Sequence, residues 1–231
     1  MEFGVSAAPM CLADLVPLAQ ALASAQVERS LQCEAEEGRQ LSCKAGCGAC
    51  CRQLVPISPP EAFALASMAV SLDAPARDEL IRRVESAVAD IERRGALPRL
   101  RELVELHGER DLQAVASDYF ALGVPCPFLI DESCRIHPHR PAACREYNVT
   151  SPAAWCSAPR RHKLAVVPLA LAMSPPLSRL TARLTGRKPQ LVPLPLAFEY
   201  AEANTELAFR TWPGPELVGR FVEELGAEAA I

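Results

Sequence analysis

The chain has 231 residues, half of them apolar, and a formal net charge of −4. That length suffices for one good core, or for a core with one appended lobe, and the mild acidity provides no global basic field to attract nucleic acid. Ten cysteines in 231 residues are too sparse for a small disulfide scaffold.

Met1-Glu2-Phe3-Gly4 carries neither a basic n-region nor a continuous apolar h-region, so no secretory signal is read there. The longest apolar run, 164–173, is short and contains Pro168, so no membrane span is expected. A cytoplasmic location follows. Thiols stay reduced there, and clustered cysteines read as metal-binding or catalytic rather than cross-linked.

Leu15, Ala19, Leu22, Ala23 and Val27 predict a helix over about 14–38. After a cysteine-rich loop, Leu54-Val55-Pro56-Ile57 reads as extended. Ser58-Pro59-Pro60-Glu61 has the form of a capping box that opens a helix running to about Val70. Leu80, Ile81, Val84, Val88 and Ile91 line one face of the next helix, which Gly95 ends. Leu100, Leu103 and Val104 suggest another, and Leu112, Val115, Ala116, Tyr119 and Phe120 a third, stopped near Gly123 and Pro125. All of these stripes are expected to be core faces.

The segment 125–155 is rich in proline, cysteine and charge, with one short helix predicted over 140–147. It is poor material for a hydrophobic core, and a bound ion or cluster could order it instead. Short helices are predicted near 176–185, 195–210 and 215–225, the last with Leu217, Val218, Phe221, Val222 and Leu225 on one side. The predicted fold is mostly α: a single helical domain with short extended segments and loops around a cysteine-rich metal centre. It divides into an N-terminal helix (1–39), a cysteine-cluster metal-binding domain (40–160, including helices over 59–121) and a C-terminal helical extension packed on it (161–231).

The chemistry lies in two cysteine blocks. The first spaces Cys43, Cys47, Cys50 and Cys51 as C-x3-C-x2-C-C, with Gly46 and Gly48 supplying the backbone freedom a wrapping loop needs. A two-residue gap lets a tight turn aim two sulfurs at one ion. Neighbours in an extended chain point apart, so Cys50 and Cys51 favour two linked metal positions or a bridging thiolate, or else one of them is a buried free thiol. The second block holds Cys126, Cys134, Cys144 and Cys156, at gaps that match no zinc finger but suit sulfurs brought from separate turns. Lys44, Arg52, Arg135, Arg140 and Arg145 flank the cysteines against Asp131, Glu132 and Glu146. The five bases are predicted to balance thiolate charge around the cofactor.

The first loop, together with Cys126-Pro127-Phe128-Leu129 and the run Cys134-Arg-Ile-His-Pro-His-Arg140-Pro141-Ala-Ala-Cys144-Arg145, resembles the YkgJ-type cysteine-cluster family, also called CxxCxxCC, which is credited with chelating zinc or iron. The resemblance implies metal ligands at Cys43, Cys47, Cys50, Cys51, Cys126, Cys134, Cys144 and Cys156. Relatives commonly carry tyrosine where this chain has His137, so His137 packs as that ring would, or it or His139 joins the ligands. Cys11 and Cys33 fall outside the pattern and read as core or surface thiols.

The function expected is metal binding, through an iron–sulfur cluster or zinc, in a structural, carrier or sensing role. One alternative is a cluster-dependent protein lysine N-methylase, since the family is related to a flagellin lysine N-methylase; only that reading calls for S-adenosylmethionine. Cys43, Cys47 and Cys50 do have the spacing of radical S-adenosylmethionine enzymes, but Ala49 replaces their usual aromatic, and neither a barrel pattern nor a glycine-rich nucleotide loop follows. The other alternative is a metal-stabilised interaction module with a protein partner. No nucleic-acid or membrane partner is expected. His107, His137, His139 and His162 have no nucleophile partner in the sequence, and Glu61, Glu102, Glu105 and Glu109 read as solvated helix charges.

Overall fold

Proline and capping chemistry set the helix starts. A computed structural model describes residues 7–104 and 109–228. Ser58 caps α2 (Pro59–Ser71) in the capping box the sequence predicts, with the Glu61 carboxylate accepting the Ser58 N–H at 2.8 Å. Asp73 caps α3 (Ala74–Arg93), its side chain accepting the Ala76 N–H at 2.9 Å. Gly95 and Gly123, at φ +73° and +66°, close α3 and the later α5 (Glu109–Leu122) in the left-handed conformation that favours glycine.

The remaining helices are α1 (Val16–Glu36), α4 (Leu97–Leu103), α6 (Ala142–Glu146), α7 (Ser174–Thr185), α8 (Ala197–Ala203), α9 (Thr205–Phe209) and α10 (Gly214–Glu228). The protein is mostly α, as expected, with only short strands. Three antiparallel ladders pin the chain. β1 (Pro9–Cys11) pairs with β6 (Thr211–Pro213), and β2 (Pro56–Ile57) with β5 (Val192–Pro193). The hairpin of β3 (Leu129–Ile130) and β4 (Ser133–Cys134) lies inside the second cysteine block.

Burial follows the helical stripes. One cluster of apolar side chains draws on the N-terminal segment (Leu12, Leu15), the middle (Ile57, Phe63, Phe128) and the C-terminal segment (Leu177, Leu217, Phe221). A second joins Ile91, Leu100, Leu103, Val115 and Tyr119 of α3, α4 and α5 with Leu196. Each fully buried leucine of this kind contributes about 1.5–3 kcal/mol.

Three expectations need correction. Ile81 and Val222, read as core positions, are exposed, because the neighbouring helices cover only part of each stripe. The segment 125–155 does feed the core: Phe128, Ile136, Ala142 and Val149 are all buried, since its turns fold inward and α6 packs against α1. Glu61 is not a solvated charge. It is 2% exposed and binds four donors: the N–H and hydroxyl of Ser58, the Ala142 N–H at 2.7 Å and the Ser174 hydroxyl at 2.8 Å. The first turns of α2, α6 and α7 therefore meet on one carboxylate.

Candidate metal centre

The first cysteine loop folds as consecutive tight turns. Cys47 N–H donates to the Lys44 carbonyl at 3.1 Å, Cys51 N–H to Gly48 at 2.9 Å and Gln53 N–H to Cys50 at 3.0 Å. Gly46 takes φ +77°. Gly48 is needed for space instead: a Cβ there would lie 2.5 Å from Glu132 Oε2 and 2.7 Å from Leu129 Cδ1. The loop thus presses directly on the β3–β4 hairpin.

That hairpin turns on Asp131 and Glu132, whose φ values of 49° and 55° follow the type I′ pattern usually given to Asn-Gly. Two non-glycine residues in that region cost stability, of order 1–3 kcal/mol each. Arg52 holds the second of them, donating to Glu132 at 2.6 and 3.2 Å and to the Gly48 carbonyl at 2.9 Å. Gly48→Ala is accordingly expected to push the hairpin away and lower stability by about 1–3 kcal/mol, the usual cost of overpacking. Urea unfolding would measure this, and an unchanged midpoint would mean that the loop and hairpin do not abut.

The two blocks come together. The Cys126 N–H donates to the Cys51 carbonyl at 2.7 Å, and Ser42 N–H donates to Val149 at 2.9 Å. Cys47, Cys50, Cys51, Cys126, Cys134 and Cys144 line one cavity of about 250 Å³. Cys43 and Cys156 adjoin it, close enough to Cys47 and Cys50 for their charges to be felt. All ten cysteines are free thiols. Cys11 lies in β1 and Cys33 in α1, apart from the cavity lining. The vicinal pair departs from the extended-chain expectation. In a turn rather than a strand, Cys50 and Cys51 both face the cavity and are hydrogen-bonded to each other.

Burial dominates the acid–base chemistry here. It pushes the Cys126 thiol up to about 12, and the charges of Cys134 and Cys50 add to the rise. Burial, followed by the charges of Cys50, Cys43 and Cys47, pushes Cys156 up to about 11. Cys43, Cys134 and Cys144 move in the same direction for the same first reason. Cys50 moves the other way, because the Cys51 thiol donates to its sulfur. Desolvated thiols whose ionised forms would repel one another favour protons or a cation to neutralise them.

The five bases are not equivalent. Lys44 lines the cavity. Arg52 is committed to Glu132, and Arg145 donates to the carbonyls of Arg140 and Pro138. Arg135 is exposed on a separate concavity lined by Met68 and Leu80. Arg140 alone lines the cavity and lowers the pKa of Cys43, Cys50 and Cys134 by its charge. Its Nε is buried with no hydrogen-bond acceptor among the described residues. A buried donor without an acceptor calls for one, and a group bound in the cavity that Arg140 lines would supply it.

His137 lines the cavity, whereas His139 faces other surfaces. Sequence reasoning missed Tyr147 and Leu194, which also line it; Leu194 arrives from the C-terminal segment, and nothing in its local sequence marks it. His162 stacks on Trp155 at 4.7 Å. His107 and Glu105 lie outside the described residues, as does the side chain of Glu109. Among the described residues, no three His, Cys, Asp or Glu side chains stand in an arrangement that would already hold a metal ion. The donor chemistry nevertheless fits soft metal: thiols predominate among the side-chain donors of the lining, and the cations Lys44 and Arg140 oppose the charge they would carry as thiolates.

Among the described residues no helix is long and apolar enough to cross a membrane. Neither the curated proteins nor the solved structures compared with the chain contain a match. Among protein families, residues 42–164, slightly over half of the chain, match the one described as "CxxCxxCC: Putative zinc- or iron-chelating domain". That span runs from the residue before Cys43 to beyond Cys156 and contains every thiol of the cavity, so the chain belongs to the CxxCxxCC family.

Proposed function

We propose that the protein holds a polynuclear, thiolate-bound metal centre of the iron–sulfur kind, with Cys43, Cys47, Cys50, Cys51, Cys126, Cys134, Cys144 and Cys156 as its ligands. The observation that carries this reading is the gathering of thiols from both blocks about one cavity, with Cys50 felt by Cys43, Cys51, Cys126, Cys134, Cys144 and Cys156. Eight donors exceed the four that a single structural zinc takes. An iron–sulfur cluster also brings sulfides, which accept hydrogen bonds and would satisfy the buried Arg140 Nε. The thiols would have to draw closer on loading, and Arg140 and Lys44, which line the cavity, would offset their negative charge. Arg52 and Arg145 serve it indirectly, by fixing the loops. The role is that of a carrier, sensor or structural centre in the cytoplasm.

The described residues contain no alternation of strands and helices around a barrel, which counts against a radical S-adenosylmethionine enzyme, and no observation favours the lysine methylase reading. Anaerobic purification with metal analysis and a visible spectrum provides the test. Brown protein carrying iron and acid-labile sulfide is expected; colourless protein with stoichiometric zinc overturns the cluster.

The pH dependence has a definite sign. Cys126 and Cys156, with pKa values of about 12 and about 11, keep their protons at neutral pH, so metal must displace them. Affinity therefore rises with pH across the range 6–9, by more than about tenfold per unit when several thiols ionise together. Metal competition with a chelator at several pH values measures it, and a flat profile would count against thiolate ligation.

A further inference from the structure

Another concavity, of about 700 Å³, is bounded by α2, α3 and α8. Its floor is apolar, formed by Ala66 and Ala69 of α2, Val88 of α3 and Phe198 of α8. Phe198 meets Phe128 edge-on at 6.4 Å, and Phe128 in turn lines the cysteine cavity. Two large apolar side chains stand open along the groove, Val70 at 73% and Ile81 at 38% exposure. These are the positions where amphipathic stripes of α2 and α3 run past the core, and an apolar groove with a charged rim marks a binding surface.

Glu85, Glu92, Glu199 and Glu202 form the rim, against Arg77 alone. Glu199 is paired with Arg101 at 2.8 Å, and Arg77 lies 3.9 Å from Asp78, which offsets its charge. Glu85 and Glu202 form no ion pair among the described residues. Glu92 makes no direct pair but lies close enough to Arg101 to be felt by it, so the rim keeps an excess of negative charge that Arg101 only partly offsets. The rim therefore carries a negative field that repels nucleic acid and anionic lipid and attracts a cationic partner. Along α3, Arg77 and Glu92 stand fifteen residues apart, about 22 Å at the rise of an α-helix, so the groove accommodates about four turns of a second helix.

We propose that this groove docks an amphipathic, lysine- or arginine-bearing helix of a partner protein. Its apolar face covers Val70 and Ile81, and its basic edge meets Glu85, Glu92 and Glu202. This is helix-in-groove recognition, with apolar anchors for affinity and rim charge for selectivity. The site is independent of which metal the cysteines hold.

The probe is a fluorescein-labelled Leu/Lys amphipathic peptide of about four to five turns, titrated into the full metal-loaded protein by fluorescence anisotropy. Saturable binding is expected, weakening as salt rises through about 0.1 M and beyond. The double variants Val70→Ser/Ile81→Ser and Glu85→Lys/Glu92→Lys should each bind at least about tenfold more weakly with metal content unchanged; thermal unfolding should hold in the charge variant and fall slightly in the apolar one, since Ile81 is only 38% exposed. Should one variant fail to fold, the other still reads the groove. Equal binding by a Leu/Glu peptide, or wild-type binding by both variants, overturns the proposal. So does sedimentation of the unmodified protein as a dimer that Val70→Ser disperses, for the groove would then belong to a second copy.

Discussion

A Cys144→Ser variant is expected to leave purification with only a small fraction of the wild-type metal and to unfold at lower denaturant. Cys144 sits in α6, its N–H donating to the Pro141 carbonyl at 3.0 Å and its thiol lining the cavity close to Cys126, Cys134 and Cys50. Serine supplies a hard, weakly acidic hydroxyl where a soft thiolate is required. Structural zinc sites contribute roughly 10–16 kcal/mol of coupled binding and folding energy, so losing even a quarter of a comparable amount here would remove roughly 3 kcal/mol. Net stabilities of about 5–15 kcal/mol make this a large loss. Cys47→Ser should also lower metal content, since Cys47 lines the same cavity. Cys11→Ser should leave metal content unchanged, because Cys11 lies in the β1–β6 ladder and not in the cavity lining. Metal analysis and urea titration of the three variants decide the matter: full metal in Cys144→Ser, or a clear loss in Cys11→Ser, would falsify the proposed ligand set.

Glu61→Ala is the second large effect. The carboxylate is buried and accepts from Ser58, Ser174 and the backbone of Ala142, so alanine strands four donors from the first turns of three helices. Leaving buried donors unsatisfied costs about 1–3 kcal/mol apiece before relaxation, and a net loss of about 3–5 kcal/mol is expected. Glu61→Gln keeps one acceptor oxygen and should lose about half as much. Metal retention should fall along with stability, because the Ala142 N–H that Glu61 holds opens the helix bearing Cys144. Chemical denaturation of metal-free protein separates the two effects: a loss below about 1 kcal/mol would mean that solvent reaches the site.

Most helices were legible because their causes are local. Ser58 and Glu61 announce a helix start, Gly95 and Gly123 announce ends, and apolar residues recur at helical spacing between them. Ile81 and Val222 defeat that logic, since a periodic stripe reveals an apolar face but not the width of the neighbour that covers it. Glu61 misleads for a related reason. Its capping role is visible three residues from Ser58, but its bonds to Ala142 and Ser174 span 81 and 113 residues.

At the centre, two blocks of cysteines stood out in the sequence because soft donors at turn spacing have few other uses, and six of those eight thiols line one cavity. The side chains around them were not legible. Nothing in the runs surrounding Arg135 and Arg140 distinguishes an exposed guanidinium from one aimed at sulfur; the difference arises where the chain turns between β4 and α6. Likewise, Leu194 reaches the cavity only because β5 pairs with β2, a contact between distant segments.

The β1–β6 ladder has a consequence for the order in which the chain matures on the ribosome. Pro9 pairs with Pro213, roughly 200 residues downstream, so at about 5–20 residues per second the first strand waits about 10–40 s for its mate. Cys156 emerges well before Thr211, so every thiol of the cavity is synthesised while that clasp is still open. Nascent polypeptide stalled between these two points would already possess a complete set of sulfur donors, leaving the clasp as a late lock on a centre that cofactor loading can precede.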